Sequence, residues 1–179
     1  MYHTDSSGRP LDSKACPECK MIILGSAESC SCGWRFVPTI IPLETYLLHK
    51  NDPKYAAECT QRIVNNAKSL LKATNSLLHE LGIKEVIVSS GWRPLGYNIS
   101  IGGATKSRHI KGLAVDLKDP KGDLALLIFK NLDKLKARGM AFEHPNWTPG
   151  WVHLQLGFPR SGRVMFIPNT QPPKRQLIA

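Results

Sequence analysis

Apolar positions recur at two different periods along this chain, and the change of period locates the elements. Ile63, Val64, Ala67, Leu70, Leu71, Thr74, Leu77, Leu78 and Leu81 follow one another mostly at spacings of three and four, which places them on one face of a helix. Asp52 and Pro53 offer an N-cap and a first-turn proline, and Gly82 follows the last apolar position. The pattern therefore predicts a long amphipathic helix running from Asp52 to Gly82. Residues 85–90 (EVIVSS) form a short β-rich run that reads as a core strand. The glycine-rich stretch 91–106 reads as a loop, and 113–117 (LAVDL) as a second strand. Asp119 and Pro120 repeat the cap-and-proline signal ahead of Leu124, Leu127, Ile128, Leu132 and Leu135, a second helix ending near Gly139. Residues 151–156 and 163–167 complete the pattern as two further strands. Helices interleaved with strands in this order predict an α+β domain.

A length of 179 residues, 42% of them hydrophobic and 21% charged, suits one domain or one domain with a small appendage. No apolar run approaches the roughly 18 residues a membrane span needs. The first ten residues lack a basic region followed by an apolar one, so synthesis in the cytoplasm without a signal peptide is the expectation. The formal net charge is +10, and its placement is uneven. Residues 1–38 balance four basic against four acidic side chains, whereas 93–143 carry ten basic and five acidic, and no acid follows Glu143. A basic second half favours a polyanionic partner: nucleic acid, an acidic membrane surface or an anionic cell-wall polymer.

Four of the five cysteines fall at Cys16, Cys19, Cys30 and Cys32. Two close pairs about ten residues apart can present four thiolates to one tetrahedral zinc, with Pro17 stiffening one knuckle and Gly33 letting the chain reverse after the other. The alternative is a pair of disulfides. A four-thiolate zinc has no open position, so such a site would be structural. The boundaries expected are a zinc-ribbon-like module over 1–38, a main domain over 39–170 and a loose, proline-rich tail over 171–179. Cys59 and His79 lie within the long helical pattern and read as ordinary helical residues.

Candidate chemistry concentrates on His109, Asp116 and His153. Gly112 permits a turn between the first two, and strand alternation puts Trp151, His153 and Gln155 on one face. Two imidazoles and a carboxylate leave a fourth position for water, the donor set of a catalytic zinc, although single histidines more often serve structure. The wording around the trio is more specific. Residues 89–94 (SSGWRP), Gly102 and Gly103, the element Ser107-x-His109-x-x-Gly112-x-Ala114-x-Asp116, and residues 151–155 (WVHLQ) occur in that order. Together they resemble the zinc D-Ala-D-Ala carboxypeptidases and L-alanyl-D-glutamate endopeptidases of the Hedgehog/DD-peptidase fold, over roughly residues 40–170.

That resemblance implies an antiparallel sheet with flanking helices, and a phage-type peptidase acting on peptidoglycan at the cell wall or within a virion. It implies that His109, Asp116 and His153 hold one catalytic Zn2+, beside the structural Zn2+ of the cysteines. It makes Arg93 the arginine that binds and polarises substrate, and Ser107 a residue that fixes the first ligand from behind. Trp92 and Trp151 become cleft or core residues. Many relatives carry an acid or a histidine two or three residues before the last histidine, where this chain has Gly150 and Trp151. The nearest ionisable groups upstream are Glu143, taken here as general base, and His144 as the alternative base or transition-state stabiliser. The missing base supports a second reading, a wall-binding module that kept the fold and lost catalysis. Specific nucleic-acid binding has less support, because the cysteine module is neutral and lacks a basic-aromatic pattern.

Overall fold

The computed structural model describes residues 14–16, 18–23, 29–32 and 37–168. The chain divides into two compact units, 1–38 and 39–179. Pro17, Gly33 and the tail over 171–179 lie outside the described residues.

In the first unit, β1 (Lys14–Ala15) pairs antiparallel with β2 (Ile22–Ile23). The tight turn between them closes with Cys16 N–H donating to Met21 O at 2.8 Å and Lys20 N–H to Cys16 O at 2.9 Å. Lys20 takes a positive φ of 62° to make that reversal.

The second unit is mixed α+β. Its helices are α1 (Leu43–Tyr46), α2 (Gln61–Glu80), α3 (Leu95–Ser100), α4 (Asp123–Phe129) and α5 (Leu132–Ala137). Its strands are β3 (Val88–Ser90), β4 (Ala114–Asp119), β5 (Met140–Glu143), β6 (Gly150–Leu156) and β7 (Met165–Phe166), in the spatial order β3-β4-β6-β5-β7. Neighbours are antiparallel except β5 and β7, which run parallel. The sheet is therefore mixed, not purely antiparallel as the resemblance implied. The chain returns to the sheet after β6 by passing the edge of β5, which leaves β7 to pair along it in the same direction.

One face of the sheet is the core. Val115 and Leu117 of β4, Met140 and Phe142 of β5, and Val152 and Leu154 of β6 are buried against Leu70, Leu71, Leu77 and Leu78 of α2 and Leu124, Ala125 and Ile128 of α4. Each fully buried leucine contributes about 1.5–3 kcal/mol. Alternation then turns residues 114, 116 and 118 of β4, 141 and 143 of β5, and 151, 153 and 155 of β6 to the opposite face.

Several boundaries differ from the sequence expectation. The long helix begins at Gln61, where Thr60 Oγ1 accepts from Ile63 N–H at 3.5 Å, not at Asp52. Asp52 instead accepts from Lys54 N–H at 2.9 Å and opens a turn that leads into the short 3₁₀ segment Ala56–Glu58. Tyr55 and Cys59 pack against the core from the two ends of that 3₁₀ segment, so residues 52–60 bury their apolar groups without an α-helix. The end at Gly82 stands, with φ of 75°. The stretch 91–106 contains α3, so it is not simply a loop. The expected second helix breaks into α4 and α5 at Asn131, whose side-chain amide caps Leu127 O at 2.8 Å. Asp119 does cap the amides of α4, at Leu124 (3.3 Å) and Ala125 (2.8 Å), across an intervening turn at Gly122.

Candidate metal and peptidase site

The register of the sheet assembles a row of side chains from all five strands. Ser90 of β3 faces Asp116 of β4, and Asp116 faces His153 of β6. The β5–β6 register pairs Phe142 with Leu154; one step further along it sets Glu143 opposite His153. Glu143 in turn pairs with Phe166 of β7. Directly opposed residues share a face, so these five side chains lie side by side on the face away from the core. His109 reaches the same spot from the loop before β4.

Three donor atoms converge there. His109 Nε2 lies 3.2 Å from Asp116 Oδ1 and 3.3 Å from His153 Nδ1, and His153 Nδ1 is 2.7 Å from Asp116 Oδ1. The Gly91 carbonyl accepts from His109 Nδ1 at 2.7 Å, which leaves the Nε2 lone pair aimed at the other two donors. Nitrogen and oxygen ligands about 2.05 Å from a tetrahedral ion stand about 3.3 Å apart. Two of the three separations match that edge, and the third opens by well under an ångström, so the residues fit a zinc ion. Asp116 is held well below the usual carboxylate range: burial alone would raise it, but its close interactions with His109 and His153 outweigh burial. Burial lowers His109, with Asp116 partly opposing; for His153 the pull of Asp116 overcomes burial and raises it.

Arg93 backs the carboxylate. Its Nη2 donates to Asp116 Oδ2 at 2.5 Å and its Nε to Ser90 Oγ at 2.6 Å, which leaves Nη1 as the donor with no bond to these partners. Ser107 Oγ accepts from His109 N–H at 3.2 Å, so it fixes the backbone of that residue while Gly91 orients the ring. Trp92 is 1% exposed and belongs to the core; its Nε1 donates to Ile110 O at 3.2 Å and pins the loop next to His109. Trp151, 37% exposed, sits on the face that carries the trio.

Glu143 is half-buried at the end of β5. Burial raises its carboxyl above the ordinary value, opposed by the charge of His153 and reinforced by that of Asp116. His144, the next residue, turns the other way. Its Nδ1 accepts from Asn146 N–H at 3.2 Å, and its ring stands edge-on to Trp147, with centroids 5.4 Å apart. Phe166, Ser90 and Gly91 are site neighbours to which the sequence assigned no role. The Phe166 ring lies edge-on to His153 with centroids 6.2 Å apart. Ser90 and Gly91 stand inside the 89–94 motif, but a hydroxyl tie and a backbone carbonyl carry no residue-type signal of their own.

Residues 48–155 match the Peptidase M15 family. The chain belongs to that family. Its members are zinc-dependent peptidases that act on peptidoglycan, and the matched span contains His109, Asp116, Glu143 and His153. No curated protein matches the chain. The family match suggests a metallopeptidase, and the chain carries a His-Asp-His group that could hold a metal. Among the described residues no helix is long and apolar enough to cross a membrane.

The cysteines form a second group. Cys16 Sγ lies 3.6 Å from Cys32 Sγ, and Cys19 Sγ 3.5 Å from Cys30 Sγ; the four sulfurs cluster without a disulfide. Thiolates about 2.3 Å from a tetrahedral zinc stand about 3.8 Å apart, close to what is observed. The backbone amide of Cys32 draws the Cys30 thiol down to about 6, while the Cys19 thiol is raised, the backbone at Met21 lowering it but Cys30 and burial outweighing that. This arrangement is consistent with a zinc-ribbon-like module.

Proposed function

We propose that the unit spanning residues 39–170 is a zinc peptidase that hydrolyses peptide bonds in peptidoglycan stem peptides, of D,D-carboxypeptidase or L-Ala-D-Glu endopeptidase type. The observation that carries this reading is the row Asp116–His153–Glu143, completed by His109. His109 Nε2, Asp116 Oδ1 and His153 Nδ1 would hold the zinc. Zinc bound there would polarise the scissile carbonyl and acidify water. The Glu143 carboxylate takes the proton of the attacking water and returns it to the leaving amine, so that water and one peptide bond become a carboxylate and an amine. Its raised pKa suits that exchange, because a carboxylate poised nearer neutrality accepts a proton more readily. Arg93 holds Asp116 in place and offers Nη1 to the charge that develops on the substrate. His144, with its Nδ1 already bonded, is the weaker choice of base.

The second reading, a binding module without catalysis, drew on the lack of a base just before His153. A carboxylate opposite His153 supplies that base from a neighbouring strand, which favours the enzyme. The module over 1–38 is proposed to hold a structural zinc, and the basic second half to hold the enzyme at the anionic wall. A bacteriophage or prophage role, in lysis or in the virion, rests on the resemblance alone.

Digestion of purified peptidoglycan by the zinc-loaded protein, with products identified by mass spectrometry, tests the proposal and names the bond. The Glu143→Gln variant is expected to keep its zinc and lose about 10²–10⁴-fold in turnover. Retained turnover in that variant would move the base elsewhere, and a zinc-loaded wild type that releases no product would sink the enzyme reading.

A further inference from the structure

The face that carries the zinc row is closed on one side and open on the other. Two residues along the strands in one direction lie Ala114, Gln155 and Ala141, directly opposed to one another and buried. Two residues in the other direction, Lys118 of β4 lies directly opposite Trp151 of β6, and both are exposed. A substrate chain passing over Asp116 and His153 and running along the strands in this second direction meets an exposed pair. Two residues of strand put the pair about 7 Å from the zinc row.

At the centre Arg93 already carries Asp116 and Ser90 and has only Nη1 left for the reacting carbonyl, so a second charge on the substrate needs another cation. Lys118 makes no ion pair among the described residues. Its neighbour Asp119 gives both carboxylate oxygens to the α4 amides. Glu85 and Asp123, which border the groove on the other side of Lys118, form no ion pair with it. A lysine without a partner beside an exposed indole suits a carboxylate attached to an apolar stem, with the ring packing the stem and the ammonium meeting the charge.

We propose that Lys118 and Trp151 form a substrate subsite that takes a free carboxylate of the stem peptide, about two extended residues from the scissile bond. The inference rests on the peptidase reading for its substrate class. Lys118 supplies charge and Trp151 supplies surface, so the two contributions separate by mutation.

The test is equilibrium binding by calorimetry to the full-length zinc-loaded Glu143→Gln protein. The probes are a synthetic stem pentapeptide with free carboxylates and the same peptide with those carboxylates amidated. The free peptide is expected to bind about five- to tenfold tighter. Adding Lys118→Ala should abolish that preference, Lys118→Arg should keep it, and Trp151→Ala should weaken both peptides together. A preference that survives Lys118→Ala, equal binding of the two peptides, or no binding of either would overturn the subsite. Wild-type turnover is scored separately. Binding with the expected preference but no turnover would leave the subsite standing and remove the peptidase reading, while turnover without the preference would do the reverse.

Discussion

Replacing Gly91 with alanine adds one carbon, and the structure makes that carbon expensive. A Cβ built at Gly91 would lie 2.1 Å from Tyr46 O, 2.9 Å from Tyr46 C and 3.0 Å from Tyr46 Cα. All three are backbone atoms, so no side chain can swing aside, and α1 or the 90–93 segment must move by about 1 Å to restore ordinary contact. Two bonds depend on the present spacing: Trp92 N–H to Tyr46 O at 3.0 Å, and His109 Nδ1 to Gly91 O at 2.7 Å. Overpacking of this kind costs about 1–3 kcal/mol, and a weakened buried hydrogen bond adds about 1 kcal/mol. For a unit of this size the sum corresponds to a fall in melting temperature of roughly 5–15 °C. Loosening the carbonyl that orients His109 should also weaken zinc binding about 10–100-fold. Thermal unfolding with and without zinc, and competition for zinc against a chelator, read the two effects. Gly82→Ala is the contrasting control. Its φ of 75° costs about 1 kcal/mol in strain, but nothing lies within 4 Å, so zinc affinity should not change. If Gly91→Ala melts within a degree of wild type and holds zinc equally well, the close approach is not what makes glycine necessary there.

Other consequences are as direct. Tyr46→Phe removes the hydroxyl that donates to Ala114 O at 2.9 Å in the core and should destabilise by about 1–2 kcal/mol in urea denaturation, with an unchanged midpoint counting against a structural role for that bond. Glu80 is held below its ordinary pKa of 4.5 by hydrogen bonds from Arg138 and Lys134. A depressed carboxylate stabilises the fold above its unfolded pKa and loses that contribution as pH falls through the folded value. The melting difference between wild type and Glu80→Gln should therefore be full at neutral pH and shrink below about pH 4.5; a constant difference down to pH 3 would refute the pairing. Elemental analysis is expected to find two zinc ions per chain and one after Cys19→Ser, with turnover of soluble stem peptide little altered; a single zinc in wild type would remove the cysteine site.

Much of the site was legible because its chemistry needs particular residue types at short range. The 107–116 motif carries two of the three trio residues within one turn-and-strand unit, and the apolar stripe of α2 is a local pattern that survives any packing. What local pattern misreads is where elements stop. Asp52 and Pro53 look like a helix start, but the acid is satisfied two residues on, and Tyr55 and Cys59 reach the core from a 3₁₀ turn instead. The sequence also pointed to Glu143 as the base near the trio, but not to the strand partner that holds it there. Ten residues separate it from His153, and only strand pairing turns that separation into direct opposition.

By itself, then, the sequence determined the donor types, the family resemblance and the two-part layout of the charge, because these depend on composition and on spacings of a few residues. The tertiary structure decided which groups meet. The β4–β6–β5 register brings Asp116, His153 and Glu143 into one row, Gly91 lends its carbonyl to His109, and Arg93 is tied to Asp116. It also left Lys118 facing Trp151 at the open side of that row. The physical reason is that a sheet couples residues by register, and register is set by which face is buried, a property of the whole packed core.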